Sequence, residues 1–179
     1  MLKSIQLLTV FIGLSFFSFS QENTMSNGIG IGYQITQHQD DFGLGLNLTS
    51  PYFANEKLAI RARGNVMWHD HINSDFKNTW SEYYNFSLGF IGVSGKIADF
   101  IRIYGEGGVI ALLPSSNFSN EDLEIGGYGL FGFEFFSSPH FNYFIELGGV
   151  GTGAQADKLG TEPIYSNGFL VNVGFRYQI

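Results

Sequence analysis

Four arginines and three glutamates carry the strongest chemical signal in this chain: Arg61, Arg63, Arg102 and Arg176 with Glu106, Glu134 and Glu146. All seven lie in segments where apolar and polar positions alternate, which sends their side chains to one side of extended strands. Charges removed from water together are costly unless paired, so these residues are expected to form one network. Such a network could gate a narrow conduit or plug an otherwise hollow interior. A second candidate is His69-Asp70-His71 together with His38, Asp40 and Asp41. Imidazole and carboxylate at such spacing could bind a divalent cation. Solvated acidic loops explain these residues more simply, and no metal is expected. The chain has no cysteine, which excludes disulfides, thiolate metal sites and lipid attachment at a cysteine.

Two further stretches could be read as chemistry. Ile164-Tyr165-Ser166-Asn167-Gly168 resembles the His-x-Ser-Asn segment of the lipid A deacylases, which are small outer-membrane barrels. A serine nucleophile needs a base, and Ile164 stands at the histidine position. A glycine opening a strand accounts for the segment, and no enzyme is expected. Gly149-Val150-Gly151-Thr152-Gly153 follows a strand but lacks the spacing of a dinucleotide loop. Only Ala154 to Leu159 remain before Gly160 and Pro163, too few for the required helix.

The elements that must position these residues are eight strands, each read from a period of two. Ile29, Ile31, Tyr33 and Ile35 alternate with Gly30, Gly32, Gln34 and Thr36. Phe42, Leu44, Leu46 and Leu48 alternate with Gly43, Gly45, Asn47 and Thr49, and Pro51 ends that run. The third sets Leu58, Ile60, Ala62, Val66 and Trp68 against Arg61, Arg63 and Asn65; the fourth sets Tyr84, Phe86, Leu88 and Phe90 against Asn85, Ser87 and Gly89. A turn is expected at Ser94-Gly95-Lys96. Beyond it, Ile101, Ile103, Val109 and Ala111 oppose Arg102, Tyr104, Glu106 and Gly108, and Phe131, Phe133 and Phe135 oppose Leu130, Gly132 and Glu134. Ser137-Ser138-Pro139-His140 turns the chain into Phe141, Tyr143, Ile145 and Leu147 against Asn142, Phe144, Glu146 and Gly148. The last strand, Gly168 to Ile179, puts Phe169, Val171, Val173, Phe175, Tyr177 and Ile179 opposite Leu170, Asn172, Gly174, Arg176 and Gln178. Each run of about ten residues suits a tilted membrane strand. No segment has a helical period.

Charge placement separates a membrane barrel from a soluble one. Every arginine lies on the polar strand faces, whereas Lys57, Lys77, Lys96 and Lys158 lie in turns or at strand edges. The polar faces are otherwise rich in Gly, Ser, Asn and Thr, which fits a crowded lumen packed by side chains. The closing strand is similar to the terminal strands of bacterial outer-membrane proteins, which end in an aromatic with another two residues before it. This chain keeps Tyr177 and ends in Ile179. Through the whole of residues 21–179 the pattern resembles the small eight-stranded outer-membrane barrels, such as the OmpA membrane domain and OmpX. The expected fold is therefore all-β, a transmembrane eight-stranded antiparallel up-and-down barrel.

The N-terminus points to export. Lys3, the apolar run Ile5 to Phe17 and the small-x-small Ser18-Phe19-Ser20 read as a signal peptide over residues 1–20. The composition is 17% aromatic and 14% charged, with 24 glycines and a net charge of −7. Nucleic acid is not an expected partner, because no basic cluster is present to neutralise phosphates. With a periplasmic N-terminus, connections near 50–56, 94–99 and 137–140 are periplasmic, and those near 37–41, 69–79, 113–124 and 152–167 face outside. Trp68, Trp80, Tyr143 and Tyr177 are the expected interface aromatics.

The expectation is a monomeric integral protein of the Gram-negative outer membrane, structural or surface-interacting and without catalysis or cofactor. Outer-membrane lipid and lipopolysaccharide would surround it. The resemblance implies the barrel-assembly machinery and periplasmic chaperones as transient partners. An enzyme acting on lipid A or phospholipid, and a narrow pore for small solutes, are the alternatives. Eight strands leave an interior just wide enough for side chains, so the charge network is expected to be a plug.

Overall fold

The computed structural model describes residues 26–72, 78–97 and 100–179. The stretch read as a signal peptide lies outside the described residues, as does Lys77. Eight strands follow one another: β1 (Gly30–His38), β2 (Asp41–Thr49), β3 (Leu58–Ile72), β4 (Asn78–Ile97), β5 (Ile101–Leu113), β6 (Glu124–Ser138), β7 (Phe141–Gly151) and β8 (Gly168–Gln178). Each pairs antiparallel with its neighbour in sequence, and β1 pairs with β8 to close the barrel. Closure runs from Gly30 opposite Gln178 to His38 opposite Leu170, so no strand edge is left open.

Alternation sorts the side chains as the period of two requires. Ile31, Leu46, Phe86, Leu88, Val109, Phe131, Ile145, Val173 and Phe175 point outward and are exposed. Gln34, Asn47, Arg61, Asn85, Glu134, Glu146 and Arg176 point inward and are buried. The outside is therefore the apolar face and the lumen the polar one. This inverts a soluble barrel and matches a wall facing hydrocarbon.

The strands are longer than ten-residue spans in several places. β3 and β6 have 15 residues and β4 has 20. The expected turn at Ser94-Gly95-Lys96 is not a turn. β4 continues through it to Ile97, with a register shift between Val93 and Gly95 where it faces β5. Gly95 opposite Ile103 and Lys96 opposite Arg102 keep backbone groups paired, and a small-residue bulge accommodates the slip that a turn would otherwise absorb. At the other end β3 and β4 run past Trp68 as far as Ile72 and Asn78, forming a hairpin that stands above the apolar belt.

Glycine on the inner face makes room for large side chains. A Cβ at Gly132 would collide with the Tyr104 ring, and one at Gly89 with the Tyr128 hydroxyl. Those two tyrosines carry hydroxyls into the middle of the lumen, where the charges lie.

Candidate functional site

The middle of the lumen is filled by the seven charged residues. β3 contributes Arg61 and Arg63 two positions apart, so both point inward from one strand. Arg61 Nη1 lies 2.9 Å from Glu106 Oε2 and 2.7 Å from Glu146 Oε1, and its Nη2 lies 3.5 Å from Glu134 Oε1. Arg63 also reaches Glu106, and its Nη2 is 3.0 Å from Glu146 Oε2. Lower in the barrel, Arg176 bonds Glu134, and Arg102 lies 3.3 Å from the same carboxylate. The seven side chains thus join β3, β5, β6, β7 and β8 across the interior. All are buried.

Neutral donors, one neutral acceptor and aromatic rings complete the shell. The Tyr128 hydroxyl donates to Glu106 Oε1 at 2.7 Å, Asn172 Nδ2 to Glu146 Oε2 at 2.8 Å, and Arg61 Nε to Thr49 Oγ1 at 2.8 Å. Arg102 lies over the Tyr52 ring at 4.2 Å and Arg176 over Phe144 at 4.5 Å. In a low-dielectric interior such stacking and charge-assisted bonding offset the loss of hydration. Tyr52, in the connection after β2, has its phenol pushed up by burial and by Glu134.

Above the charges lies an amide layer. Gln34 donates to Asn65 at 2.9 Å, Asn47 to Gln34 at 3.0 Å, and Asn65 to Asn85 at 2.6 Å. A cavity of about 20 Å³, lined among others by Thr36, His38, Arg63 and Asn172, separates this part from the mouth. That volume is about one water.

The mouth holds an assembly that spacing did not reveal. His38 Nδ1 lies 2.8 Å from Ser166 Oγ, across 128 positions of sequence. The Ser166 amide donates to Asp41 Oδ2 at 2.6 Å, the Tyr83 hydroxyl donates to the same oxygen at 2.7 Å, and His69 Nδ1 lies 2.7 Å from Asp41 Oδ1. One carboxylate therefore ties β3, β4 and the 152–167 connection to the start of β2. Ser166 has φ of 49°, a strained conformation for a residue with a Cβ, and its bonds to His38 and Asp41 hold it there. Phe118 and Tyr165 close the space above, with ring centroids 4.9 Å apart, and both pack on His69. Burial pushes the Tyr165 phenol up. The two large connections are pinned together where Asn120 donates from its backbone and side chain to Asp157. Asn120 holds the Asp157 carboxyl below its usual value.

The residues considered for a metal divide between the inside of the mouth and its surface, with His71 half-buried and stacked on His69. His38, Asp41 and His69 turn inward and are buried, while Asp40 and Asp70 are exposed. Among the described residues no group of three such side chains could hold an ion. The base missing from position 164 is not supplied locally, because Ile164 is exposed and bridges Gln155. His38 meets Ser166 instead. A sequence signal for half of this existed, since His38 continues the inward parity of Gln34 and Thr36, but the fold of the 152–167 connection carried the other half. Of the interface aromatics, Trp80 is exposed and Trp68 is half-buried against Phe42, with centroids 6.1 Å apart, at the end bearing the long connections. Tyr143 and Tyr177 are exposed at the opposite end, where Tyr177 stacks with His140.

No family model and no curated protein matches this chain. Solved structures do. OprG from Pseudomonas aeruginosa has a TM-score of 0.62 at 13% identity, covering 89% of this chain and 99% of that one. The N-terminal β-barrel domain of OprF from the same organism gives 0.57 at 11%, covering 86% and 98%. Ail from Yersinia pestis, solved in a phospholipid bilayer nanodisc, gives 0.53 at 15%, covering 86% and 100%. Likeness at these identities concerns the fold, and it extends over nearly all of each barrel. With its closed antiparallel lattice and apolar outer wall, the chain has the fold of the small eight-stranded outer-membrane barrels, of the OmpA membrane-domain and OmpX type.

Proposed function

We propose that the protein is an integral outer-membrane barrel with a closed lumen, whose role is structural or cell-surface interaction and not catalysis. The observation that carries this reading is the salt-bridged layer of four arginines and three glutamates, which crosses the interior from β3 to β5, β6, β7 and β8. The exposed apolar wall supports residence in a bilayer, and the aromatics at both ends support an interface at each level. Closure of β1 on β8 leaves no edge for another strand, in keeping with a monomer. In this reading residues 1–20 are removed on export, periplasmic chaperones and the barrel-assembly machinery deliver the chain, and the longer connections face outside. The test is a planar bilayer recording on carbonate-washed, heat-modifiable protein. A silent wild type is expected. Reproducible openings that change with Glu106 or Arg102 would replace the plug with a pore, and recovery of the protein in the soluble periplasm would end the membrane reading.

A second reading is favoured by one contact. Ser166 Oγ beside His38 is a hydroxyl paired with a base, so hydrolysis of a lipid ester is the alternative. Both residues are sealed, at 1% and 4% exposure, beneath Phe118 and Tyr165. That burial supports a latch over a nucleophile. A fluorophosphonate probe should leave Ser166 unlabelled in lipid vesicles, and labelling lost in Ser166→Ala would promote the enzyme.

A further inference from the structure

The outward face of β3 and β4 changes character along its length. From mid-barrel to the outer rim the cross-strand pairs are Gly64 with Phe86, Val66 with Tyr84, Trp68 with Glu82, and Asp70 with Trp80. Positions two apart share a face, so these eight residues form one continuous strip. Its lower half is apolar and indented. Gly64 has no side chain, the Phe86 ring leans against the space a Cβ would take, and a groove of about 380 Å³ beside it is lined by Leu44, Leu46, Gly64, Val66, Tyr84 and Phe86. This volume falls within the ~300–1,000 Å³ range of ligand sites.

The upper half alternates indole and carboxylate. Directly opposed side chains in an antiparallel pair have Cβ atoms about 4.5–5.5 Å apart, so Glu82 stands beside Trp68 and Asp70 beside Trp80. Stacking on Phe42 steadies Trp68. Asp70, Trp80 and Glu82 are exposed, and neither carboxylate has an ion-pair partner among the described residues. No described lysine or arginine shares the strip. The arginines are all in the lumen, Lys57 and Lys96 are at the far end, and Lys158 donates to the Ser116 carbonyl.

We propose that this strip binds one lipid with an ammonium headgroup, its acyl chain in the Gly64 groove and its cation among Asp70, Glu82, Trp68 and Trp80. The inference rests on the membrane reading above and names a partner for that surface. A positive headgroup gains from both carboxylates and from the negative faces of the indoles. An anionic headgroup would meet two carboxylates at the same level, where no lysine or arginine among the described residues compensates. The groove and the charged platform are separate features of the structure, and their contiguity on one hairpin selects an amphiphile over a free amine.

Native mass spectrometry of the full mature chain, refolded in detergent and mixed with equal dioleoyl phosphatidylethanolamine and dioleoyl phosphatidylglycerol, tests this. Wild type should retain one phosphatidylethanolamine with about tenfold preference over phosphatidylglycerol. Asp70→Asn with Glu82→Gln should abolish the preference, and Gly64→Leu, which adds bulk at the groove floor and pushes on the Phe86 ring, should lower retention of both lipids. Equal retention of the two lipids by wild type, or a preference unchanged in the Asp70/Glu82 variant, would overturn the site. Each variant is scored only as heat-modifiable barrel on a gel. A wild type that never becomes heat-modifiable would defeat the membrane reading and this site with it, whereas a folded barrel without headgroup preference would defeat the site alone.

Discussion

The middle of the lumen and its mouth are both buried polar assemblies, yet they are held by different means. In the middle, every charged group is borne on a strand, and the hydrogen-bonded ladder of the barrel sets where each one points. At the mouth, the acceptor Asp41 sits at a strand start, while Ser166, Tyr165 and Phe118 arrive on connections. Ordering those connections costs conformational entropy that the strands have already lost to the sheet. The middle should therefore unfold only with the whole barrel, and the mouth should open locally at lower free energy. Buried charge bound to rigid strands makes a plug, whereas buried hydrogen bonds to loops make a latch.

The largest effect should come from the plug. Glu146 contacts Arg61 and Arg63 and accepts from Tyr104 and Asn172, so Glu146→Ala strands buried positive charge. It should destabilise the barrel by roughly 3–5 kcal/mol, read from reversible urea unfolding in lipid vesicles by tryptophan fluorescence. A cost well under 1 kcal/mol would mean that the network does not act as a unit.

A smaller effect is expected at the mouth. Asp41→Ala leaves the Tyr83 hydroxyl, the Ser166 amide and His69 Nδ1 without their acceptor, at a cost of about 1–3 kcal/mol. Amide exchange should accelerate over 152–167 and leave β5, β6 and β7 unchanged. Acceleration throughout the strands would erase the distinction between latch and plug.

The smallest effect is expected where the two connections meet in solvent. Asn120→Ala removes the side-chain bond to Asp157 and keeps the backbone one, so the Asp157 pKa should rise part of the way towards its ordinary value in an NMR titration, without a measurable change in stability. A loss of the folded mouth in this variant would show that exposed contacts, and not Asp41, hold it shut.

Much of this molecule could be read from alternation alone. Side-chain direction in a strand depends only on parity, so the inward set of Arg61, Arg63, Arg102, Arg176, Glu106, Glu134 and Glu146 and the outward set around Leu88 and Phe133 followed from residue order. Parity says nothing about where a strand stops. Ser94-Gly95-Lys96 has turn composition, yet β4 runs through it, because pairing with β5 satisfies backbone groups that a turn there would leave to solvent. Nor does parity choose partners. That Glu146 serves β3 arginines rather than Arg102 depends on strand tilt and depth within the closed barrel.

The mouth shows the limit most clearly. Ser166 lies in a connection with no period, and its neighbour at 164 has no base to offer. His38 reaches it because closure of β1 on β8 brings the end of β1 beside the chain entering β8, and because Asp41 captures the Ser166 amide. Residue order dictates local geometry through short-range sterics, so strands and their faces are legible in it. A contact spanning 128 residues exists only once the barrel has closed, since nothing in either segment encodes the other.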